Sequence, residues 1–230
     1  MWYNAPIMRN EGFTMTKAVI FDLDGTLLNT LGDLTAAVNH GLSACGLPTH
    51  TEAEVRTYLG DGVKELIARA CPADADEATK AAVLAAYLPY YAAHNMDLTV
   101  PFEGVMEILS ALHRHGVKIA VVSNKHDAGV QALCAHYFGG LLDLAVGGGD
   151  ARPLKPAPDS LLYAMAQLEV TPDEVWYVGD SVQDMMTAHN AGVKCIAVTW
   201  GFQDRDRLVA ENPAALADNA EQLREVLLAV

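Results

Sequence analysis

No segment of this chain is apolar for long enough to cross a bilayer, and its start lacks the basic residues, apolar run and cleavage site of an export signal. A cytoplasmic protein without a membrane partner is the expectation. Basic residues are scarce: 15 Lys and Arg stand against 29 Asp and Glu, a formal net charge of −14. A chain so short of cations has no broad basic face with which to displace counterions, so no nucleic-acid partner is expected. An anionic small molecule is not excluded, because a bound metal ion and one or two lysines reverse the field locally. Cysteine is equally thin. Cys45, Cys71, Cys134 and Cys195 form no CxxC pair or zinc-type spacing and read as small buried thiols of a reducing compartment. The eight histidines include no HExxH or comparable pair. His113 and His115 flank Arg114 near an expected helix end, where solvated cations sit favourably. The absence of like-charge blocks, low-complexity linkers and internal repeats argues against disordered and repeat architectures.

What is present is a chain of 230 residues, 51% hydrophobic, enough for one large domain or a domain carrying a smaller inserted one. Residues 1–15 show no periodicity and read as a poorly ordered leader. The segment 17–21 (KAVIF) is a short, partly β-branched apolar run suited to a buried strand. Helical patterns follow at 31–45, 52–59, 63–70 and 74–95, with no convincing strand among them. From Pro101 the character changes. Val105, Ile108, Leu109 and Leu112 share one helix face, which Gly116 closes. Strands at 117–122, 142–146, 175–178 and 194–198 then alternate with helices at 128–136, 159–168 and 181–191. A last helix covers 220–228. This alternation implies right-handed crossovers and a doubly wound parallel sheet, an α/β fold with helices on both faces. The helical block that interrupts it implies an inserted cap. The expected division is an α/β core over 16–30 and 98–230, with a helical cap domain over 31–97.

Ligands of an open parallel sheet bind beyond the carboxyl ends of its strands. The first strand ends in Asp22, Leu23, Asp24, Gly25 and Thr26, and the second in Ser123, Asn124 and Lys125. A later connection carries Leu154, Lys155 and Pro156, and the strand at 175–178 ends in Gly179, Asp180, Ser181, Val182, Gln183 and Asp184. Each piece has a plain structural reading. Asp pairs build turns, and Ser123 or Asp180 can serve as a helix cap. What favours a site is that all four sets stand at expected strand ends. Carboxylates gathered there repel one another unless a cation sits among them, and hard oxygen ligands suit Mg2+. A carboxylate is a competent nucleophile toward a phosphoryl group, and a second one can protonate the leaving oxygen and later activate water. Ser123, Asn124 and Lys155 can hold the oxygens that are not transferred.

These residues resemble the four motifs of the haloacid dehalogenase superfamily of phosphohydrolases. Its DxDGT signature is matched by Asp22, Asp24, Gly25 and Thr26, and its strand-ending Ser or Thr by Ser123. Its lysine, often within KPxP, is matched by Lys155, Pro156, Ala157 and Pro158, and its GDSxxD motif by Gly179, Asp180, Ser181 and Asp184. The resemblance runs from about residue 16 to the C-terminus. It implies Asp22 as nucleophile and Asp24 as general acid and base. It also implies magnesium bound by the Asp22 carboxylate, the Asp24 backbone carbonyl and the Asp180 carboxylate, with Asp184 in support. Ser123 and Lys155 are implied to orient the phosphoryl group and Thr26 to help pack the loop; Thr26 and Asn124 complete the candidate phosphate-binding set. The inserted cap is implied to open for exchange and close against water. Dehalogenases of the superfamily lack the second Asp, so Asp24 favours a phosphatase.

Softer signals resemble the phosphoglycolate phosphatase group within that superfamily. They are the segments 59–63 in the cap, 101–105 at the return to the core, Gly147, Gly148, Gly149 and Asp150, and Thr199, Trp200 and Gly201. They imply a small phosphorylated metabolite, 2-phosphoglycolate, as substrate. Groups acting on sugar phosphates, nucleotides or pyrophosphate share several of these signals. A phosphosugar mutase would instead return the phosphoryl group to a sugar. Loss of Asp22 or Asp24 would mark a non-catalytic binding protein, and both are present. The turn at Gly60, with Arg56 before it and Lys64 after it, is the candidate cap element facing the substrate; a plain helix–helix turn is the alternative. The glycines at 147–149 lack the GxGxxG spacing and a P-loop lysine, and read as conformational freedom near the site. Trp176 and Tyr177 read as sheet residues. Monomer and homodimer stay equally open.

Overall fold

The structure, a computed structural model, describes residues 16–149 and 151–228; the expected leader over 1–15 and Asp150 lie outside them. The first apolar run forms the central strand, β1 (Ala18–Phe21), and all four of its side chains are buried. Strand side chains alternate between faces, so each face of the sheet receives two. Val19 and Phe21 join one core layer with Leu109, Leu112, Leu133 and Phe138. Ala18 and Ile20 join the other with Leu161, Met165 and Met185. Burial on both sides is why the run is apolar at every position.

The chain leaves the sheet through β2 (Leu28–Asn29) and returns through β3 (Val100–Pro101), antiparallel to β2. Between them lie only helices: α1 (Leu31–Ala44), α2 (Glu52–Arg56), α3 (Val63–Ala70) and α4 (Glu77–His94). These pack around a core of their own that includes Leu34, Val38, Leu42, Val55, Ile67, Val83 and Tyr87. A buried carboxylate fastens the return segment to the start of the unit. Asp33 of α1 accepts from the N–H of Leu98 (2.9 Å), the N–H of Thr99 (2.9 Å) and the Thr99 hydroxyl (2.7 Å). The helix α4 runs through Pro89, whose missing N–H and ring clash cost about 3 kcal/mol in a helix interior. Packing against α1, with Val83 and Tyr87 buried, overrides that cost.

From α5 (Val105–Arg114) the alternation is regular. It runs through β4 (Lys118–His126), α6 (Asp127–Phe138), β5 (Leu144–Gly148), α7 (Asp159–Leu168), a 3-10 turn (Pro172–Glu174) and β6 (Val175–Gly179). It ends with α8 (Val182–Ala191), β7 (Lys194–Val198), α9 (Arg205–Ala210), β8 (Ala215–Ala217) and α10 (Ala220–Leu228). The strands stand in the order β5-β4-β1-β6-β7-β8 and pair in parallel throughout. Because β4 and β6 flank β1, the strand order reverses beside β1, and the ligand crevice of such sheets falls at that point.

Several elements depart from the expectation. The helix at 52–59 stops at Arg56, and the one at 74–95 starts at Glu77 because the Asp76 carboxylate caps it, accepting from the Thr79 N–H at 2.8 Å. The strand at 117–122 runs on to His126 through a register shift. The elements β2, β3, α9 and β8 span two to six residues, too few for a hydrophobic period to register. All four cysteines are free thiols. Among the described residues no helix is long and apolar enough to cross a membrane.

Candidate active site

Asp22 continues the β1 ladder by one residue, donating its N–H to the carbonyl of Val178 in β6 at 2.8 Å. Gly25 then turns the chain with φ of +90°. A side chain there would collide with the Asp180 carboxylate, and so would one at Gly201. Two loops therefore close on Asp180 by virtue of having no Cβ.

Asp22, Asp180 and Asp184 converge so that one carboxylate oxygen from each lies within 4.8 Å of the other two, and all three residues are buried. Lys155 enters among them, with Nζ 2.6 Å from Asp184 Oδ1 and 2.8 Å from Asp22 Oδ1. The ammonium is the charged partner of that buried Asp22 oxygen, which has no other hydrogen-bond partner. Asp184 is fully engaged. Its Oδ1 also accepts from the Tyr177 hydroxyl (3.0 Å), and its Oδ2 from the N–H (3.0 Å) and hydroxyl (2.5 Å) of Ser181. Asp180 accepts from the Thr26 hydroxyl (3.0 Å) and the Phe202 N–H (2.7 Å).

Burial raises the pKa of Asp22 well above the carboxylate range; Lys155 opposes the shift, and Asp184 and Asp180 add to it. Burial, with Asp184 adding to it, pushes Asp180 up to about 7 against the bonds from Phe202 and Thr26. Burial works against the charge of Lys155, but Asp184 and Asp22 outweigh it and hold its pKa above the ordinary lysine value. One ammonium thus faces three carboxylates. The surplus of carboxylates over ammonium groups and the all-oxygen donor set fit a hard divalent cation.

Above this cluster lies a cavity of about 330 Å³. The core lines it with Asp22, Asp24, Ser123, Asn124, Lys125, Lys155 and Asp180, and the helical unit with Gly60, Gly62, Leu66, Tyr87 and Tyr91 among others. Asp24 Oδ1 accepts from the Thr30 hydroxyl and from Lys125 Nζ, each at 2.7 Å. Ser123 Oγ accepts the Lys125 N–H at 3.2 Å, which leaves its own proton for a ligand.

Four expected binding residues stand otherwise than the sequence suggests. Asn124 lines the cavity, but its amide is spent on the carbonyls of Gly60 (3.1 Å) and Lys155 (3.2 Å), and its Oδ1 on the Lys155 N–H (2.7 Å). It positions Lys155 and ties the helical unit to the core. Thr26 is not on the cavity wall, because its hydroxyl is turned to Asp180. Arg56 is also off the wall and donates to the carbonyls of Phe202 (2.7 Å) and Gly201 (3.2 Å). Lys64 is exposed: α3 turns Leu66, Ile67 and Ala70 inward, which leaves position 64 outside. The glycines at 147–149 line a separate cavity with Asp127, Arg152 and Tyr163. Lys125 was visible in the sequence at its strand end without a role, whereas Tyr87 and Tyr91 had only a helical pattern to mark them.

The model of the family described as haloacid dehalogenase-like hydrolase matches residues 19–198. The chain belongs to this family. Every side chain of the carboxylate cluster in this hydrolase falls within the matched span. A phosphoglycolate phosphatase of Pseudomonas putida is 36% identical over 216 residues, covering 91% of this chain and 79% of the relative. A phosphoglycolate phosphatase of Vibrio parahaemolyticus is 34% identical over 218 residues, covering 92% and 96% respectively. Among solved structures, a Lactobacillus delbrueckii subsp. bulgaricus protein, provisionally described as a phosphoglycolate phosphatase, matches with a TM-score of 0.90 at 34% identity, covering 94% of this chain and 100% of that one.

Proposed function

We propose that this hydrolase is a magnesium-dependent phosphatase that cleaves 2-phosphoglycolate, with Asp22 carrying the phosphoryl group between two half-reactions. The observation that carries the reading is the convergence of Asp22, Asp180 and Asp184 with Lys155 at the floor of a cavity covered by the helical unit. Magnesium held by the Asp22 and Asp180 carboxylates and the Asp24 carbonyl, with Asp184 behind, would offset charge on the phosphoryl oxygens. An Asp22 oxygen attacks phosphorus, forming an acyl phosphate as the ester P–O bond breaks. Asp24 gives its proton to the departing oxygen, then takes one from the water that attacks phosphorus and frees phosphate, regenerating the Asp22 carboxylate. Ser123 and Lys155 hold the phosphoryl oxygens throughout.

The helical unit acts as a cap. Bonds from Arg56 to the 201–202 loop, from Asn124 to Gly60 and from Gln183 to Asp61 (2.6 Å) latch it shut and exclude water. The phosphoglycolate phosphatase activity by which the two relatives are described supports 2-phosphoglycolate as substrate. The test is phosphate release from a panel of small phosphorylated metabolites, with magnesium and with a chelator. A magnesium-dependent preference for 2-phosphoglycolate is expected. Preference for a sugar phosphate or nucleotide would overturn the substrate and keep the chemistry. No release from any of them would sink the phosphatase reading.

A further inference from the structure

The cavity wall above Asp22 carries a second ammonium, and its partner is the proposed acid itself. Lys125 Nζ donates to Asp24 Oδ1 at 2.7 Å and lies 4.8 Å from the ring centroid of Tyr91 in α4. The side chains of Lys125 and Asp24 are only 9% and 19% exposed. Burial works against the lysine's charge, but Asp24 outweighs it, and the group is held protonated. Beside it the buried Tyr91 hydroxyl has Lys125 as a polar neighbour but no hydrogen bond of good geometry. The other lysine at the floor is taken by Asp22 and Asp184.

This pairing conflicts with the chemistry proposed above. Asp24 cannot turn its bonded oxygen from Lys125 to a leaving group without stranding a buried cation, which is strongly unfavourable. A carboxylate on the substrate removes the conflict. We propose that Lys125, with the Tyr91 hydroxyl, recognises a carboxylate on the carbon that bears the ester oxygen, and exchanges Asp24 for it when substrate binds. The inference rests on the phosphatase reading and specifies its substrate class.

The distances suit that class. A donating Asp24 must come within about 2.7 Å of the ester oxygen. Lys125 stands 2.7 Å from Asp24 Oδ1. An ester oxygen in contact with the place that Asp24 Oδ1 now holds lies at most about 5–6 Å from Nζ, a gap that an α-carboxylate spans with one ordinary N–H···O bond to the lysine. A sugar hydroxyl at the same place has no charge with which to replace Asp24. The Tyr91 hydroxyl is then the second donor to the carboxylate.

The experiment compares 2-phosphoglycolate with its neutral amide, 2-phosphoglycolamide, on the wild type and on Lys125→Met, Lys125→Arg and Tyr91→Phe. The wild type should prefer the acid by about 10- to 150-fold in kcat/KM, the usual worth of a hydrogen bond to a charged group. Lys125→Met should bring the ratio to within about 3-fold of unity, Lys125→Arg should retain most of it, and Tyr91→Phe should lower it by a factor of about 3 to 10. The ratio cancels general damage, because both substrates meet the same enzyme. If Lys125 only holds Asp24, both substrates lose equally, the preference survives in Lys125→Met, and the inference is overturned. A wild type that turns over both equally overturns it too, yet leaves the phosphatase reading intact. Release from neither by the wild type overturns that reading as well. Should melting curves show Lys125→Met unfolded, Tyr91→Phe and the wild-type ratio decide.

Discussion

Asp22 and Asp24 stand two positions apart on one turn and meet different neighbours. Asp22 faces Asp180, Asp184 and Lys155 in a buried cluster, while Asp24 is turned toward Lys125 and Thr30 at the cavity wall. The identities of both were legible at the strand end, as were Ser123, Lys155, Asp180 and Asp184. Their partners were not, because a hydrogen bond between residues 154 positions apart, such as Thr26 to Asp180, leaves no local pattern. With an acyl phosphate on Asp22, Asp22→Asn should lower kcat by about 10⁴-fold or more, as losses of a covalent nucleophile do. Residual turnover above about a hundredth of the wild-type rate would rule the covalent scheme out. Asp180 makes a second prediction. Its pKa rises from 3.8 to about 7 on folding, so its contribution to stability is present below 3.8 and is lost as pH rises toward about 7. With Asp180 as a ligand, a cation would replace the proton in that upper range. Magnesium should therefore raise the melting temperature more at about pH 8 than at about pH 5.5. Equal shifts at both pH values would count against Asp180 as a ligand.

At the scale of elements, long patterned segments were the readable ones. β1 announced itself because burial on both faces demands an unbroken apolar run, and α3, α7 and β7 occupy the residues their periodicity marked out. The short strands β2 and β3 did not, though they carry the chain between the two units. What fastens this crossing is Asp33, which reads from sequence as an ordinary acidic residue in a first helical turn. Asp33→Ala would leave two backbone N–H groups and one hydroxyl without their acceptor. A destabilisation of about 2–4 kcal/mol is expected, visible in urea or thermal unfolding. A change under about 0.5 kcal/mol would show that water replaces the carboxylate at no cost.

At the scale of the whole molecule, the sheet presents the carboxylate cluster and the helical unit covers the cavity above it. Arg56 illustrates the division. From the sequence it was a candidate substrate contact; in the fold it donates to two backbone carbonyls of the core and ties the helical unit to it. Arg56→Ala should lower kcat/KM by about 5- to 10-fold, the worth of one or two neutral-acceptor hydrogen bonds, with little change in melting temperature. An unchanged kcat/KM would remove Arg56 from the closing mechanism. The sequence by itself determined the α/β alternation, the helical insertion and the carboxylates at the strand ends, since hydrophobic period and strand-end position are properties of neighbours along the chain. Only the tertiary structure decided that Thr26, Asn124 and Arg56 are braces, and that Lys125 and Tyr91 meet at the cavity. Those roles depend on where side chains far apart in the chain come to lie, and that is set by the packing of the helical unit over the sheet.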